Sequence, residues 1–205
     1  MKFPNKKYEI ILADPPWKYR VHDKEGSGQG VAAAHYTTMT TKEITALPVK
    51  DIAADNCALF LWITCPNVVS IGKKVLDAWG FEYVTVAFVW VKLWESSEVK
   101  QIVLPGDRKK YIQIAPRKGL GHWTRSGTEL CLLGRKGRLR RADKNVDQLI
   151  FAPVTKHSAK PADQYSRIEA LLGATEETPK IELFARQRVA GWDGWGLEYP
   201  SQEGG

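Results

Sequence analysis

YEIILADPPW, residues 8–17, constrains this chain more than any other stretch. Tyr8–Ala13 is a near-continuous apolar run of strand length, as expected for a strand covered on both faces. Asp14-Pro15-Pro16 ends it, because consecutive prolines remove two backbone donors and fix a stiff, non-helical turn. Asp14 is therefore expected at a strand end, with Trp17 displayed beside it. A carboxylate, prolyl carbonyls and a flat aromatic face suit capture of a planar base bearing an amino group. The oxygens accept its N–H groups and an indole stacks on its ring. The plainer alternative is an Asp-Pro turn followed by a core tryptophan.

Strand-like and helix-like segments alternate beyond this turn. A helix is predicted from near Thr41, with Glu43 in its first turn, to before Pro48. ALFLWIT (58–64) reads as a buried strand. Asn67 is predicted to cap a helix in which Val68, Ile71, Val75, Leu76 and Trp79 recur at helical spacing before Gly80. YVTVAFVWVK (83–92) is β-branched and aromatic, hence a strand, and 129–133 and 149–151 are shorter candidates. Pro161 opens a helix to Leu172, and 180–184 is the last strand. The alternation predicts an α/β fold with a mostly parallel sheet and helices on both faces. Ligands of such sheets sit outside the carboxyl ends of the strands, where Asp14 and Arg186 fall. The patternless stretches 18–40 and 93–120 are long enough to frame the site as lids.

A single domain over residues 1–205 is expected, since 43% hydrophobic and 26% charged residues match a core-forming globule. No apolar run approaches the roughly 18 residues a membrane span needs. The basic start leads into a strand pattern, not a signal-peptide core, and Cys57, Cys65 and Cys131 form no CxxC pair. Both point to a reducing cytoplasm, away from a disulfide framework or a cysteine zinc site. His35, His122 and His157 lack metal-ligand spacing, and Ser27 and Ser126 lack an adjacent His–acid pair. The net charge of +7 is uneven: residues 100–144 carry 13 basic side chains against Asp107, Glu129 and Asp143. That local excess is the footprint of a phosphate-backbone binder, with a solvated loop as the alternative.

ADPPW (13–17), HYTTM (35–39), LFLWIT (59–64), GHW (121–123), ELCLLGRKG (129–137), HSAKP (157–161) and KIELFAR (180–186) occur in that order. This set resembles the adenine-N6 methyltransferases of the MT-A-seventy (MT-A70) family, over nearly the whole chain. In size the chain is similar to the small phage and bacterial members that act on DNA. The resemblance implies a permuted Rossmann-like fold, with the catalytic DPPW ahead of the donor-binding strand. It also implies S-adenosylmethionine as methyl donor and no metal. Asp14, Pro15, Pro16 and Trp17 are then catalytic, with Asp14 also at the donor. Lys160, Glu182, Phe184 and Arg186 hold the donor, and Trp17, Tyr19 and Tyr36 line the base pocket. Lys109, Lys110, Arg117 and Lys118 are expected to meet phosphates. Lys160 and Arg186 also read as solvated side chains, and the two tyrosines as loop packing.

Three features depart from the family pattern. Leu197 and Glu198 follow Trp195-Gly196 where members often carry Asn at the donor, so Gln187 or Glu198 is expected to substitute. Only 13 residues precede Asp14, so part of the donor's adenine wall is expected from elsewhere. The 93–120 stretch is longer than its counterpart in the mRNA enzyme. The expected partner is nucleic acid, DNA ahead of RNA because no zinc knuckle or RRM signature is present. No membrane partner is expected, and a homodimer is compatible with the sequence but not argued by it. Competing functions are an RNA adenosine methyltransferase, a nucleic-acid-binding pseudo-enzyme, and a cytosine-N4 or glutamine methyltransferase with a related turn.

Overall fold

The structure, a computed structural model, describes residues 3–18, 38–96, 100–103, 110–121, 123–155 and 159–200. Among these residues the order is β1 (Tyr8–Ala13), α1 (Thr41–Thr45), α2 (Val49–Ile52), β2 (Ala53–Ile63), α3 (Lys73–Ala78), β3 (Glu82–Leu93), β4 (Lys100–Val103), β5 (Lys110–Gln113), β6 (Thr128–Lys136), β7 (Leu149–Pro153), α4 (Asp163–Leu172), β8 (Lys180–Leu183) and β9 (Asp193–Trp195). Seven strands form one sheet in the order β7-β3-β6-β2-β1-β8-β9, and β4 pairs with β5 in a separate ribbon.

The apolar β1 lies inside this sheet, parallel to β2 on one side and β8 on the other. Its period-2 alternation divides the core. Ile11 and Ala13 join Leu59, Leu61, Ile63, Ile181 and Leu183 on one face, covered by Ile44 of α1, Ile52 of α2 and Val75, Leu76 and Trp79 around α3. Ile10 and Leu12 join Phe60, Trp62, Phe88 and Trp90 on the other face, covered by Tyr165 and Ile168 of α4. Complete burial of Ile168 contributes about 1.5–3 kcal/mol toward holding α4 there.

The expected α/β fold, a mostly parallel sheet with helices on both faces, differs from the structure on two counts. β6 runs antiparallel to both β2 and β3, while β1–β2, β1–β8, β3–β7 and β8–β9 are parallel. The sheet is therefore mixed. Parallel neighbours need a crossover, usually a helix, whereas β3 and β6 are joined without one among the described residues. The helices are also short, since only α4, at ten residues, exceeds six.

Local signals explain most boundaries. Thr40 and Glu43 close a reciprocal capping box at α1, with the Thr40 amide donating to Glu43 Oε2 at 2.7 Å. Gly173, at φ +65, ends α4 in the left-handed conformation that glycine accepts without Cβ strain. The helix expected from Asn67 instead opens with a 3₁₀ turn, Cys65–Asn67, and a π turn, Val68–Gly72. Asn67 does not cap it; its Nδ2 donates to Thr64 Oγ1 at 3.2 Å. Gly72 presses on the sheet there, and a Cβ would lie 2.7 Å from Leu132 Cδ1. Close approach, not helical period, shapes that segment.

Candidate active site

Asp14 leaves the carboxyl end of β1, and the carboxyl ends of β2, β3, β7 and β8 share that edge of the sheet. Because β6 runs the other way, its beginning also lies there. Thr128 pairs with Val91 and Glu129 with Trp90, near the end of β3. The reversed strand thus brings a carboxylate, Glu129, to an edge that parallel neighbours supply from their ends.

Four charged side chains form a continuous chain at this edge. Lys160 Nζ donates to Asp14 Oδ2 at 2.5 Å and lies 3.2 Å from Glu129 Oε2. Lys92 Nζ donates to Glu129 Oε1 at 2.5 Å. Lys160 is only 9% exposed, yet Asp14 retains 24%, so its carboxylate is reachable from solvent. Burial pushes the Asp14 carboxyl above its ordinary value, and the Lys160 ammonium pulls it back only in part. Burial alone would lower Lys160 and raise Glu129. The charges around them win, so Lys160 sits above the usual lysine value and Glu129, facing Lys160 and Lys92, below the usual carboxylate value. Two cations therefore balance two carboxylates in a site largely shut off from water.

The aromatic wall behind Lys160 fixes its place. Its Nζ lies 5.8 Å from the centroid of Trp62, whose indole N–H donates to Gln164 Oε1 at 2.7 Å and so ties the site to α4. Trp17 does not stand displayed beside Asp14 as the turn suggests. Its ring is 5% exposed, packs in the core cluster beneath β1 and β2, and donates Nε1 to the Trp62 carbonyl at 3.2 Å. The Trp17 amide donates to the Pro15 carbonyl at 2.8 Å, and the Met39 amide to the Pro16 carbonyl at 2.8 Å. The DPPW turn is thus pinned by its own tryptophan, and a carbonyl oxygen has a second lone pair for a further donor.

Glu182 lies opposite Leu12 in the β1–β8 register, so its carboxylate reaches the α4 face of the same edge. Its Oε2 accepts from the Tyr165 hydroxyl at 3.0 Å, and Gln187 and Gln164 are near enough to that tyrosine to act on it. Burial raises the Glu182 carboxyl to about 7 despite the Tyr165 bond, with Asp14, Lys160 and Arg186 near enough to act on it. Phe184 takes φ +63, rare for a non-glycine residue, and its ring meets Trp195 edge-on at 5.7 Å. Arg186 Nε lies 3.8 Å from Glu198 Oε2.

Asp14, Lys160, Glu182 and Arg186 thus come together from four sequence positions. Arg117 and Lys118 follow β5; the Arg117 amide donates to the Lys92 carbonyl at 2.7 Å and its guanidinium sits 5.0 Å from the Trp94 ring centroid. Lys110 falls in β5. Tyr19, Tyr36, Lys109, His35, His122, His157 and Ser27 lie outside the described residues. Glu129 and Lys92 were missed from sequence. The available signal was a lone acid at the head of the apolar run ELCLL. No cluster of His, Cys, Asp and Glu suited to a metal ion occurs among the described residues, nor any helix long and apolar enough to cross a membrane.

The MT-A70 family model matches residues 8–198. The chain belongs to the MT-A70 family. Membership implies the Rossmann-like fold and S-adenosylmethionine dependence of these methyltransferases. Type II methyltransferase M.MunI from Mycoplasma sp is 36% identical, covering 98% of this chain and 82% of its own length. The human N(6)-adenosine-methyltransferase catalytic subunit METTL3 is 31% identical over 88% of this chain, but only 26% of its own. The human N(6)-adenine-specific methyltransferase METTL4 is 29% identical over 94% of this chain and 38% of its own. The matched span takes in Asp14, Lys92, Glu129, Lys160, Glu182 and Arg186.

Proposed function

We propose that this chain transfers a methyl group from S-adenosylmethionine to the exocyclic N6 amine of adenine in DNA. The observation that carries the reading is Asp14 at a strand end, partly exposed and held by a buried lysine within the DPPW turn. DNA is favoured because the type II methyltransferase M.MunI is matched over most of both chains. The adenosine enzyme METTL3 is matched over a quarter of its length. The sheet then corresponds to the methyltransferase sheet in permuted order, with the Asp14 strand ahead of the Glu182 strand.

The donor set of this edge fits S-adenosylmethionine. Glu182 is a buried carboxylate suited to a ribose diol, Arg186 is near enough to act on its charge, and the Lys160 ammonium suits the amino-acid carboxylate. Gln187, near Tyr165, is the residue we assign to the contact that the missing Asn would make. When bound, the donor supplies a methyl group on a sulfonium, which leaves as a neutral thioether.

Adenine's amine is a poor nucleophile because its lone pair is delocalised into the ring. Asp14 and the Pro15 carbonyl accept its two N–H groups, favouring a pyramidal nitrogen with the lone pair free. Lys160 keeps the Asp14 carboxylate ionised and oriented, and Glu129 and Lys92 hold Lys160. Asp14 and the Pro15 carbonyl would hold the amine nitrogen in line with the donor's methyl group, and Asp14 or water would take the proton that the methylated nitrogen sheds. Alignment and preorganised charge supply most of the acceleration. A duplex target must first be flipped out of the stack.

Transfer of labelled methyl to duplex DNA, single-stranded DNA and RNA, with nucleoside analysis and Asp14→Ala as control, tests the reading. N6-methyldeoxyadenosine that disappears in the variant is the expected result. N6-methyladenosine from RNA alone would move the substrate to RNA. Donor binding without transfer to any substrate would favour the pseudo-enzyme.

A further inference from the structure

A hollow of about 420 Å³ opens where β3 ends, lined by Leu93, Trp94, Glu95, Ser96, Arg117 and Val154. Backbone hydrogen bonds hold its walls in place. The Arg117 amide donates to the Lys92 carbonyl at 2.7 Å, the Lys92 amide to the Gly127 carbonyl at 2.8 Å, and the Val154 amide to the Leu93 carbonyl at 3.2 Å. Leu93 pairs with Pro116 in an antiparallel bridge. The hollow therefore begins one residue beyond Lys92, the outer member of the charged chain that ends on Asp14.

Its walls have a particular chemistry. Trp62, Trp79 and Trp90 are at most 1% exposed, whereas Trp94 is 50% exposed at the mouth. Arg117 covers that indole with its guanidinium at 5.0 Å. Leu93 and Val154 add an apolar floor. An exposed indole with an arginine over it offers stacking for a flat ring and a cation for a phosphate. The volume lies in the range of roughly 300–1,000 Å³ typical of small-ligand pockets. Residues 100–144, which include Arg117, carry the chain's excess of basic side chains, complementary to a polyanion.

We propose that this hollow is a subsite for the nucleotide flanking the target adenine on the same strand. Trp94 stacks on its base and Arg117 meets its phosphate. The inference rests on the reading of Asp14 as the methyl-transfer site on nucleic acid. It adds a second point of contact that sets register along the strand.

The test uses fluorescence anisotropy with a fluorescein-labelled single-stranded oligodeoxythymidine carrying one central adenine, and the same strand with an abasic residue at either flank. Trp94→Ala is expected to weaken binding by about 5- to 150-fold, the size of one base–aromatic stack, and Trp94→Phe to retain most of it. One abasic flank weakens the wild-type complex similarly and adds nothing further to Trp94→Ala. Arg117→Ala is expected to lower the salt slope of binding by about one. Unchanged binding by Trp94→Ala, or losses that multiply at both flanks, would overturn the subsite. Loss of S-adenosylmethionine affinity in Trp94→Ala, read by calorimetry, would also overturn it by assigning the hollow to the donor. Methyl transfer is measured in parallel. An enzyme that transfers no methyl yet loses strand binding in Trp94→Ala refutes the activity and the target-flanking assignment, and leaves the hollow a nucleotide-binding site only. The reverse outcome refutes the subsite alone.

Discussion

Lys160→Met removes one ammonium from between two carboxylates. At an effective dielectric near 20, charges separated by the 2.5 Å to Asp14 and 3.2 Å to Glu129 attract by about 7 and about 5 kcal/mol. Desolvation cancels much of this, and removing one partner of a buried pair costs about 3–5 kcal/mol. For a chain of this size that is a fall in melting temperature of roughly 6–20 °C. The chemical consequence has a definite sign. Asp14 is already raised by burial and by Glu129, with Lys160 the principal opposing influence. Without it the carboxyl holds its proton to higher pH and is a poorer acceptor for the amine hydrogen assigned to it. Methyl transfer by Lys160→Met is therefore expected to collapse at neutral pH and recover in part as pH rises. Lys160→Arg should keep most activity, and adding Glu129→Gln to Lys160→Met should restore stability. The assay is the rate of methyl transfer across pH, beside equilibrium unfolding. A Lys160→Met enzyme with a wild-type rate at neutral pH would refute the argument. One that loses only donor affinity, with an unshifted pH profile, would place Lys160 on the donor instead.

Glu182 supplies a second pH dependence. Its carboxyl is raised to about 7, so the folded state binds a proton that the unfolded chain releases near 4.5, and its contribution to stability declines as pH rises between those values. Donor affinity is expected to increase over the same interval as the carboxylate ionises for the ribose hydroxyls, and calorimetry on Glu182→Gln should show a flat profile. Trp17→Ala is expected to cost about 3–5 kcal/mol in denaturant unfolding, because a buried indole and its bond to the Trp62 carbonyl are both lost. Trp17→Phe should cost less than half as much. Gly137→Ala should also destabilise the fold, measurably by thermal melting, since its φ is +67 and a Cβ would lie 2.1 Å from the Asp55 carbonyl oxygen.

The sequence announces the central strands and the DPPW turn because each carries a local cause. YEIILA and ALFLWIT are apolar on both faces, and Pro15-Pro16 forbids both ladder and helix. The direction of β6 has no such cause. TELCLLGRK reads the same whichever way the strand is laid down, and only its pairing with β2 and β3 fixes it. Glu129 was consequently invisible as a site residue, because its place at the reacting edge follows from that reversal. Trp17 was ambiguous for another reason. A tryptophan after two prolines can face either way, and the packing of Trp62, Ile63 and Met39 around it is non-local. β9, at three residues, is too short for any periodicity to register, as is α2, four residues directly after Pro48.

The reversed strand has a consequence for how such a chain can diversify. In an all-parallel sheet the connection between neighbouring strands must travel from one edge back to the other. Here the connection leaving Leu93 and re-entering at Thr128 starts and finishes on the edge that holds Asp14. New sequence can be spliced into it without lengthening a crossover or disturbing strand register. Added residues enter and leave on the edge that carries Asp14 and Glu129. The frame thus separates the sheet edge that holds Asp14 from a connection whose length the sheet does not constrain. Grafting that connection between relatives should transfer target preference while leaving the methyl-transfer machinery in place.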